Sequence, residues 1–319
     1  MNPKQTTGLD LIRKFLTSGL GTPSQRGKNK IQFKLNPGTK KFTSRTPSKV
    51  NPLNSLAKGL SSSISGLAST LSRITNKAPK EDYNKIVKNF IPPNTVLLKP
   101  QYPLNAEEIQ LSDLDGDSAN EIIASYRMGN EIKTAVIKKQ NNRWNKVSEF
   151  STSDYDTLNY RDVAGMTADG KNQIILGYTS KIKAPSLRAY SFDRNIIKEV
   201  FNKNYDRFEV VKKTINKKAK VAVWNKNEAG TYNINLYEWN GQQIESLKDS
   251  SAYYKNMVVP HYGVTLRRDP RKVENWYNLS DALVKAGMKM EAQRAISIGM
   301  GVDRDSQFKD KFQSLKDLI

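Results

Sequence analysis

The feature that most constrains this chain is an internal repeat of about 50 residues, between residues 108 and 256. Three apolar stretches begin at Ile122, Ile174 and Val221, separated by 52 and 47 positions. Two further sets of positions recur with separations of 53 and 47. These sets are Ile137, Tyr190 and Tyr237, and Trp144, Ile197 and Ile244. Offsets that agree this closely predict three copies of one structural unit.

Each copy has the pattern of a four-stranded antiparallel sheet. Turn-forming residues separate the third apolar stretch from the fourth, namely Gln140-Asn141-Asn142, Asp193-Arg194-Asn195 and Asn240-Gly241. Four short strands in such a period are typical of a β-propeller blade. The sequence therefore predicts a mainly β fold with α appendages. Residues 81–264 are expected to form a small or incomplete propeller of about three blades, with an ordinary antiparallel sandwich as the alternative.

The stretches that flank the three copies are expected to complete this β domain. Glu81 to Phe90 predicts a helix that Ile91-Pro92-Pro93-Asn94 ends. Closed propellers have about four to eight blades. Strands near residues 95–99 and 257–264 are therefore expected to complete or cap the array.

An acidic loop precedes the first apolar stretch of the first copy. Asp113, Asp115 and Asp117 alternate along it, Gly116 relaxes the backbone, and Glu121 begins the next strand. Ca²⁺ takes about six to eight oxygen ligands, and alternate acids on a tight turn can converge on one ion. The four acids therefore predict one calcium site. A solvated acidic turn without an ion is the alternative.

The acidic loop and the strand after it resemble the FG-GAP/VCBS repeat of β-propellers. In that family the aspartates bind Ca²⁺ between two blade strands, so the resemblance implies the same role here. It covers about half of the chain, and only the first copy has the full motif. The corresponding positions are Gly165, Thr167, Asp169 and Gln173 in the second copy, and Lys212, Thr214, Asn216 and Lys220 in the third.

Positive charge is concentrated in the amino-terminal arm, residues 1–80. The chain has a formal net charge of +21, from 52 Lys/Arg and 31 Asp/Glu. The arm has 15 of these basic residues and one acid, Asp10, which leaves +7 for the remainder. Its composition predicts a largely disordered segment, and its charge predicts an anionic partner. A solubilising tail without a partner is the alternative.

Within this arm, residues 53–75 have the periodicity of an amphipathic helix. Its polar face is mostly Ser, Gly and Thr, which resembles amphipathic lipid-packing sensors, and nearby Lys/Arg would add attraction to an anionic leaflet. The alternative is that the stripe docks on the chain's own folded body or on a partner helix. The apolar stripe consists of Leu53, Leu56, Leu60, Ile64, Leu67, Leu71 and Ile74.

Residues 265–319 have helical periodicity and resemble a single tetratricopeptide hairpin followed by a capping helix. One such unit is too short for a long peptide groove, and a helical cap on the last blade is the alternative. The positions that carry the resemblance are Trp276, Leu279, Ser280, Leu283, Gly287, Ala292 and Ile296. The third helix is predicted from Phe308, Phe312, Leu315 and Leu318.

Catalytic motifs are missing from the sequence. The chain has no cysteine and one histidine, His261, which stands between Pro260 and Tyr262 and favours packing over catalysis. No G-x-S-x-G elbow, Walker loop or Rossmann fingerprint is present. The sequence therefore predicts a protein that is not an enzyme, although an active site on a propeller face is a further hypothesis.

Together these features predict a scaffold or adaptor. The basic arm is expected to tether it to an anionic membrane surface, and the β domain to bind protein partners. The amino terminus lacks an apolar core of about 7–15 residues, so the expected location is cytoplasmic and peripheral to a membrane. An extracytoplasmic FG-GAP/VCBS-type adhesion protein is one alternative. A nucleic-acid-binding protein is another, although aromatic residues for base stacking are sparse in the arm.

Overall fold

A computed structural model of the chain describes residues 81–167, 170–212, 218–227 and 231–319. The basic arm and its apolar stripe from Leu53 to Ile74 lie outside the described residues. The residues from Tyr83 to Ile319 belong to one unit. That unit contains three antiparallel sheets followed by helices, so the predicted mainly β fold with a helical carboxyl-terminal region is confirmed.

The strands of the second and third sheets follow one another in chain order. In the first sheet, β1 and β2 both pair with β3, so they share one edge of that sheet. The first sheet contains β1 (Val96–Leu97), β2 (Ile109–Ser112), β3 (Glu121–Met128), β4 (Glu131–Gln140) and β5 (Arg143–Thr152). The second contains β6 (Thr157–Ala164), β7 (Gln173–Thr179), β8 (Ser186–Asp193) and β9 (Ile196–Asn204). The third contains β10 (Arg207–Val211), β11 (Lys220–Lys226), β12 (Tyr232–Trp239) and β13 (Ile244–Ser246).

Residues that the period predicts to be equivalent take corresponding places in the three sheets. The first residue of each apolar stretch faces the predicted third-strand residue of the same copy. These facing pairs are Ile122 and Ile137, Ile174 and Tyr190, and Val221 and Tyr237. Two of the predicted turns are two-residue hairpin loops with positive φ at both positions, Asn141-Asn142 and Arg194-Asn195.

The three sheets are stacked face to face, and helices cover both ends of the stack. The first sheet packs on the second, and the second packs on the third. The free face of the first sheet is covered by helix α1 (Tyr83–Lys88), and that of the third by the carboxyl-terminal helices. Both faces of the central strands are therefore buried. This explains why the central strands are continuous apolar runs rather than alternating patterns.

The predicted strand at residues 257–264 is wrong, because residues 251–268 are helical. They form α2 (Ser251–Tyr253), a π-helical turn (Tyr254–Val258) and α3 (Val259–Arg268). The cause is a four-residue apolar spacing that packs one helix face on the third sheet. The residues of that face are Tyr254, Val258, Tyr262 and Leu266. By contrast, the predicted strand at 95–99 is confirmed as the short β1.

Three more helices complete the chain: α4 (Val273–Lys285), α5 (Lys289–Val302) and α6 (Lys309–Lys316). The apolar residues predicted for the first two are buried, and Gly287 has a φ of 71° in the turn between them. Leu318 differs from its prediction, because it lies beyond α6 and is 68% exposed. No helix in the described part of the chain is long and apolar enough to cross a bilayer.

Candidate cation site and strand-edge groove

The acidic loop, residues 113–121, folds around its own carboxylates. Asp113 accepts backbone hydrogen bonds from Gly116 at 2.7 Å and from Ser118 at 2.9 Å. Asp117 accepts one from the amide of Ala119 at 2.8 Å. Gly116 has a φ of 81°, which favours glycine. Two of the three aspartates therefore hold the turn itself.

Glu121 closes the loop from the start of β3. Its side chain is fully buried, and Oε2 accepts the backbone N–H of Leu114 at 2.8 Å. In the second sheet, Gln173 does the same with an amide, accepting the N–H of Met166 at 2.6 Å. Burial raises the pKa of Glu121. The hydrogen bond from Leu114 and the charge of Lys138 lower it, but burial outweighs them. A neutral side chain serves the loop of the second sheet, so this role does not require a metal ligand.

The side chain of Lys138 on β4 reaches the centre of the acidic loop. Its Nζ lies 2.5 Å from Asp115 Oδ2, 2.7 Å from Asp117 Oδ2 and 3.3 Å from Glu121 Oε1. Burial lowers the pKa of Lys138, but its bonds to Asp115 and Asp117 outweigh that effect and raise it. The hydrogen bond from Lys138 also lowers the pKa of Asp117.

This arrangement brings three of the four predicted ligands together, and Lys138 lies between two of these aspartates and Glu121. Carboxylate oxygens of Asp113, Asp115 and Asp117 lie within 4.8 Å of one another. Glu121 Oε1 is buried and accepts no hydrogen bond; its contact with Lys138 is an ion pair without hydrogen-bond alignment. As placed, the loop does not fit a divalent ion, which would have to displace the ammonium group. Calcium binding stays a prediction that depends on this displacement.

The pairing of Glu121 with Lys138 has a counterpart in the third sheet. Glu121 precedes Ile122 and Lys138 follows Ile137, so the two residues face each other across β3 and β4. At the corresponding place in the third sheet, Lys220 forms an ion pair with Glu238, with the charges reversed. The second sheet has the neutral residues Gln173 and Ser191 there. In the first and third sheets these positions therefore form a cross-strand ion pair, and in the third it involves no cluster of acids.

His261 lies in α3 among aromatic rings of the third sheet and the helices. Its ring centroid is 5.3 Å from that of Trp224 and 5.3 Å from that of Tyr262. Its Nδ1 is 3.4 Å from Nη1 of Arg207. Because a guanidinium group can only donate, Nδ1 accepts this hydrogen bond and carries no proton. Burial, together with the charge of Arg207, lowers the pKa of His261. This is the environment of a packed, neutral ring.

A second candidate site is a groove between the first strands of the second and third sheets. This strand-edge groove has a volume of about 590 Å³. Tyr160 and Tyr205 each contact Phe208 edge to face, at centroid distances of 4.9 and 4.7 Å. The residues that line the groove are Tyr102, Pro103, Asn159, Tyr160, Tyr205, Asp206, Arg207, Phe208, Glu209 and Val210.

One wall of the groove is an extended segment that pairs with the edge of β6. The amide of Tyr102 donates to the carbonyl of Asn159 at 2.9 Å, and the amide of Arg161 donates to the carbonyl of Tyr102 at 3.2 Å. The Arg161 side chain is 2% exposed and donates to the carbonyl of Glu107 and to Ser125 Oγ. Its burial lowers the pKa of Arg161 to about 10. Arg161 thus fixes this segment to the first two sheets.

Sequence reasoning missed two aspartates, Asp156 and Asp206, that immediately precede β6 and β10. Asp156 accepts the backbone N–H of Lys181 at 2.8 Å, and Asp206 accepts that of Lys226 at 2.6 Å. Each bond fastens the start of a sheet to the end of its second strand. The available signal was the Tyr-Asp pair repeated 50 positions apart, at 155–156 and 205–206.

Comparison with known proteins gives no relative for this chain: no family model, no curated protein and no solved structure matches it.

Proposed function

We propose that this protein is a non-catalytic scaffold that presents its β domain to protein partners and is tethered by its basic arm to an anionic membrane surface. The observation that carries the proposal is the helical cover on both end faces of the sheet stack. With those faces buried, strand edges and loops remain as the surfaces through which the domain can bind a partner. We interpret the three sheets as propeller-type blades in an open stack.

The contacts of the titratable groups support binding rather than catalysis. The acids of the loop are engaged with Lys138 and with backbone amides. His261 is packed with its Nδ1 against a guanidinium group. A general base needs a free lone pair directed at a substrate, whereas the acids that contact Lys138 are held in ion pairs with it.

The tether follows from the charge and pattern of residues 1–80. An excess of 14 positive charges gives the arm long-range attraction to anionic lipid. The apolar stripe would then insert between headgroups, as amphipathic helices do. Neither element alone gives firm attachment, because ordering the helix costs a free energy similar to that gained by burying its apolar face.

Vesicle flotation of the full chain tests this tether. The vesicles contain phosphatidylcholine with or without phosphatidylserine. We expect the wild type to float with the anionic vesicles, and the variant Leu60→Asp/Leu67→Asp to stay in solution. The matched control Ser61→Asp/Ser65→Asp makes the same charge change on the polar face and should still float. If the two variants float equally, or the wild type does not float, the tether is disproved.

A further inference from the structure

We propose that the outer edge of β10 binds an extended peptide segment of a protein partner as an added strand, with apolar side chains in the strand-edge groove. This inference rests on the proposed scaffold function and names the surface that performs it. β10 is the terminal strand of the third sheet, and β11 is its only neighbour among the described strands. An open strand edge of this kind is a template for main-chain hydrogen bonding.

The chain itself shows how such an edge is used. At the corresponding edge of the second sheet, Tyr102 lies parallel to β6 and is bound through the carbonyl of Asn159 and the amide of Arg161. In the second sheet, Arg161 faces Leu176. In the third sheet, Phe208 faces Val223, and each of these residues lies 47 positions after the corresponding one. Phe208 is therefore the counterpart of Arg161.

The 47-residue offset places Asp206 at the position of Asn159, but Asn159 has no partner in the strand register and the amide of Asp206 donates to Trp224 on β11. The backbone group with an established equivalent is therefore the amide of Phe208, which corresponds to that of Arg161. Because backbone groups alternate in direction along a strand, the amide of Val210 faces the same edge. The edge of β10 therefore presents amides like the one that binds an extended segment in the second sheet.

The groove beside this edge is lined by aromatic rings as well as by Asp206, Arg207 and Glu209. The charged side chains of β10 turn to the opposite face, where Arg207 lies 4.7 Å from the ring centroid of Trp224. Glu209 accepts the hydroxyl of Tyr253 at 2.8 Å on that face. Phe208 and Val210 remain on the face that packs towards the second sheet. The groove therefore suits a peptide with aliphatic or aromatic side chains at alternate positions, which point to one face of a strand.

A synthetic peptide with the sequence of residues 99–105, Lys-Pro-Gln-Tyr-Pro-Leu-Asn, is a direct probe, because it contains the segment that adds to β6. Its binding to the full chain is measured by fluorescence anisotropy. The test variant is Val210→Pro, which removes the outward amide, and an edge strand tolerates proline there. The matched control is Val210→Thr, which keeps that amide and the branched side chain. Thermal melting checks the fold of both.

We expect saturable binding to the wild type, about tenfold weaker binding to Val210→Pro through loss of one hydrogen bond, and unchanged binding to Val210→Thr. Equal binding to the two variants would overturn the proposal. It is also overturned if the peptide does not bind while oligothymidylate does, or if the chain pairs with a second copy through β10. Val210→Pro should float with anionic vesicles as the wild type does. Peptide binding and the membrane tether are then tested independently, and either proposal can fail without the other.

Discussion

Glu121 and Lys138 face each other across β3 and β4, with Oε1 and Nζ 3.3 Å apart, and they join the acidic loop to the sheet. Lys138 completes this junction with shorter contacts to Asp115 and Asp117. An ammonium group thus occupies carboxylates of three of the four predicted calcium ligands. Because it is covalently attached, it competes with dissolved cations at a high effective concentration.

This competition predicts the response of the loop to calcium. In the wild type, we expect the same melting temperature with excess Ca²⁺ and with a chelator. Lys138→Met should lose on the order of 2–4 kcal/mol in chelator, because Glu121 becomes a buried charge without its partner. Ca²⁺ should then restore about 2.7 kcal/mol at 100 times its dissociation constant.

Two further variants test the cause of that effect. Lys138→Arg keeps a cation in the loop and should remain insensitive to calcium. Asp117→Ala, added to Lys138→Met, removes one ligand and should weaken the calcium response. A wild type that is itself strongly stabilised by Ca²⁺ would show that the ammonium group yields easily, and the predicted calcium site would then be occupied in the native chain.

The sequence period predicted the β domain well because its signal is repeated. Burial on both faces makes β3, β7 and β11 similar apolar runs, so their equivalence was visible without a structure. The strand predicted at 257–264, around Val258 and Val259, came from the number of blades that a closed propeller needs rather than from the local pattern. The four-residue spacing around them was the better guide.

Lys138 and the edge pairing of Tyr102 were harder to predict. Lys138 is 17 positions from Glu121, and only the strand register shows that they face each other. That register is set by the pairing of Ile122 with Ile137. The repeat shows that both positions recur in each copy, but it does not show that they pair with each other. The pairing of Tyr102 with β6 is one isolated bridge, which has no periodic signal in the sequence.

The close packing of α5 predicts a strong effect of a small substitution. A Cβ at Gly299 would lie 2.8 Å from Phe312 Cε1 and 3.0 Å from Trp276 Cβ. We expect Gly299→Ala to lower the free energy of unfolding by about 1–3 kcal/mol through overpacking. Gly301, in the last turn of α5, has no heavy atom within 4 Å of such a Cβ. Gly301→Ala should therefore leave the free energy of unfolding unchanged or raise it by up to about 1 kcal/mol. Urea unfolding of both variants measures these changes.

Two adjacent tyrosines in the helical region should differ in their contributions. The buried indole N–H of Trp224 donates to Tyr253 Oη at 3.0 Å, and this hydroxyl donates to Glu209. Tyr253→Phe leaves the indole without its acceptor and should cost about 1–3 kcal/mol. Tyr254 makes a longer bond of 3.4 Å to a backbone carbonyl, so Tyr254→Phe should cost less. Equal losses in urea unfolding would contradict this assignment.

The environment of His261 predicts a loss of stability in mild acid. Its pKa is lowered in the folded chain by burial and by Arg207, so the unfolded chain takes up the proton first, near its ordinary value of 6.5. Stability is therefore fully present above that value and falls as the pH drops from 6.5 towards the folded pKa. One proton limits the slope to about 1.4 kcal/mol per pH unit.

His261→Gln isolates this effect, because the chain has no other histidine. Urea unfolding at a series of pH values between neutrality and the onset of carboxyl titration should show a slope in the wild type and none in the variant. Arg207→Gln removes the neighbouring charge, so the pKa of His261 is lowered less in the folded chain. The loss of stability on acidification should therefore be smaller in this variant than in the wild type. Parallel curves for wild type and His261→Gln would mean that the ring titrates alike in both states and that its packing against Trp224 and Tyr262 does not exclude the proton.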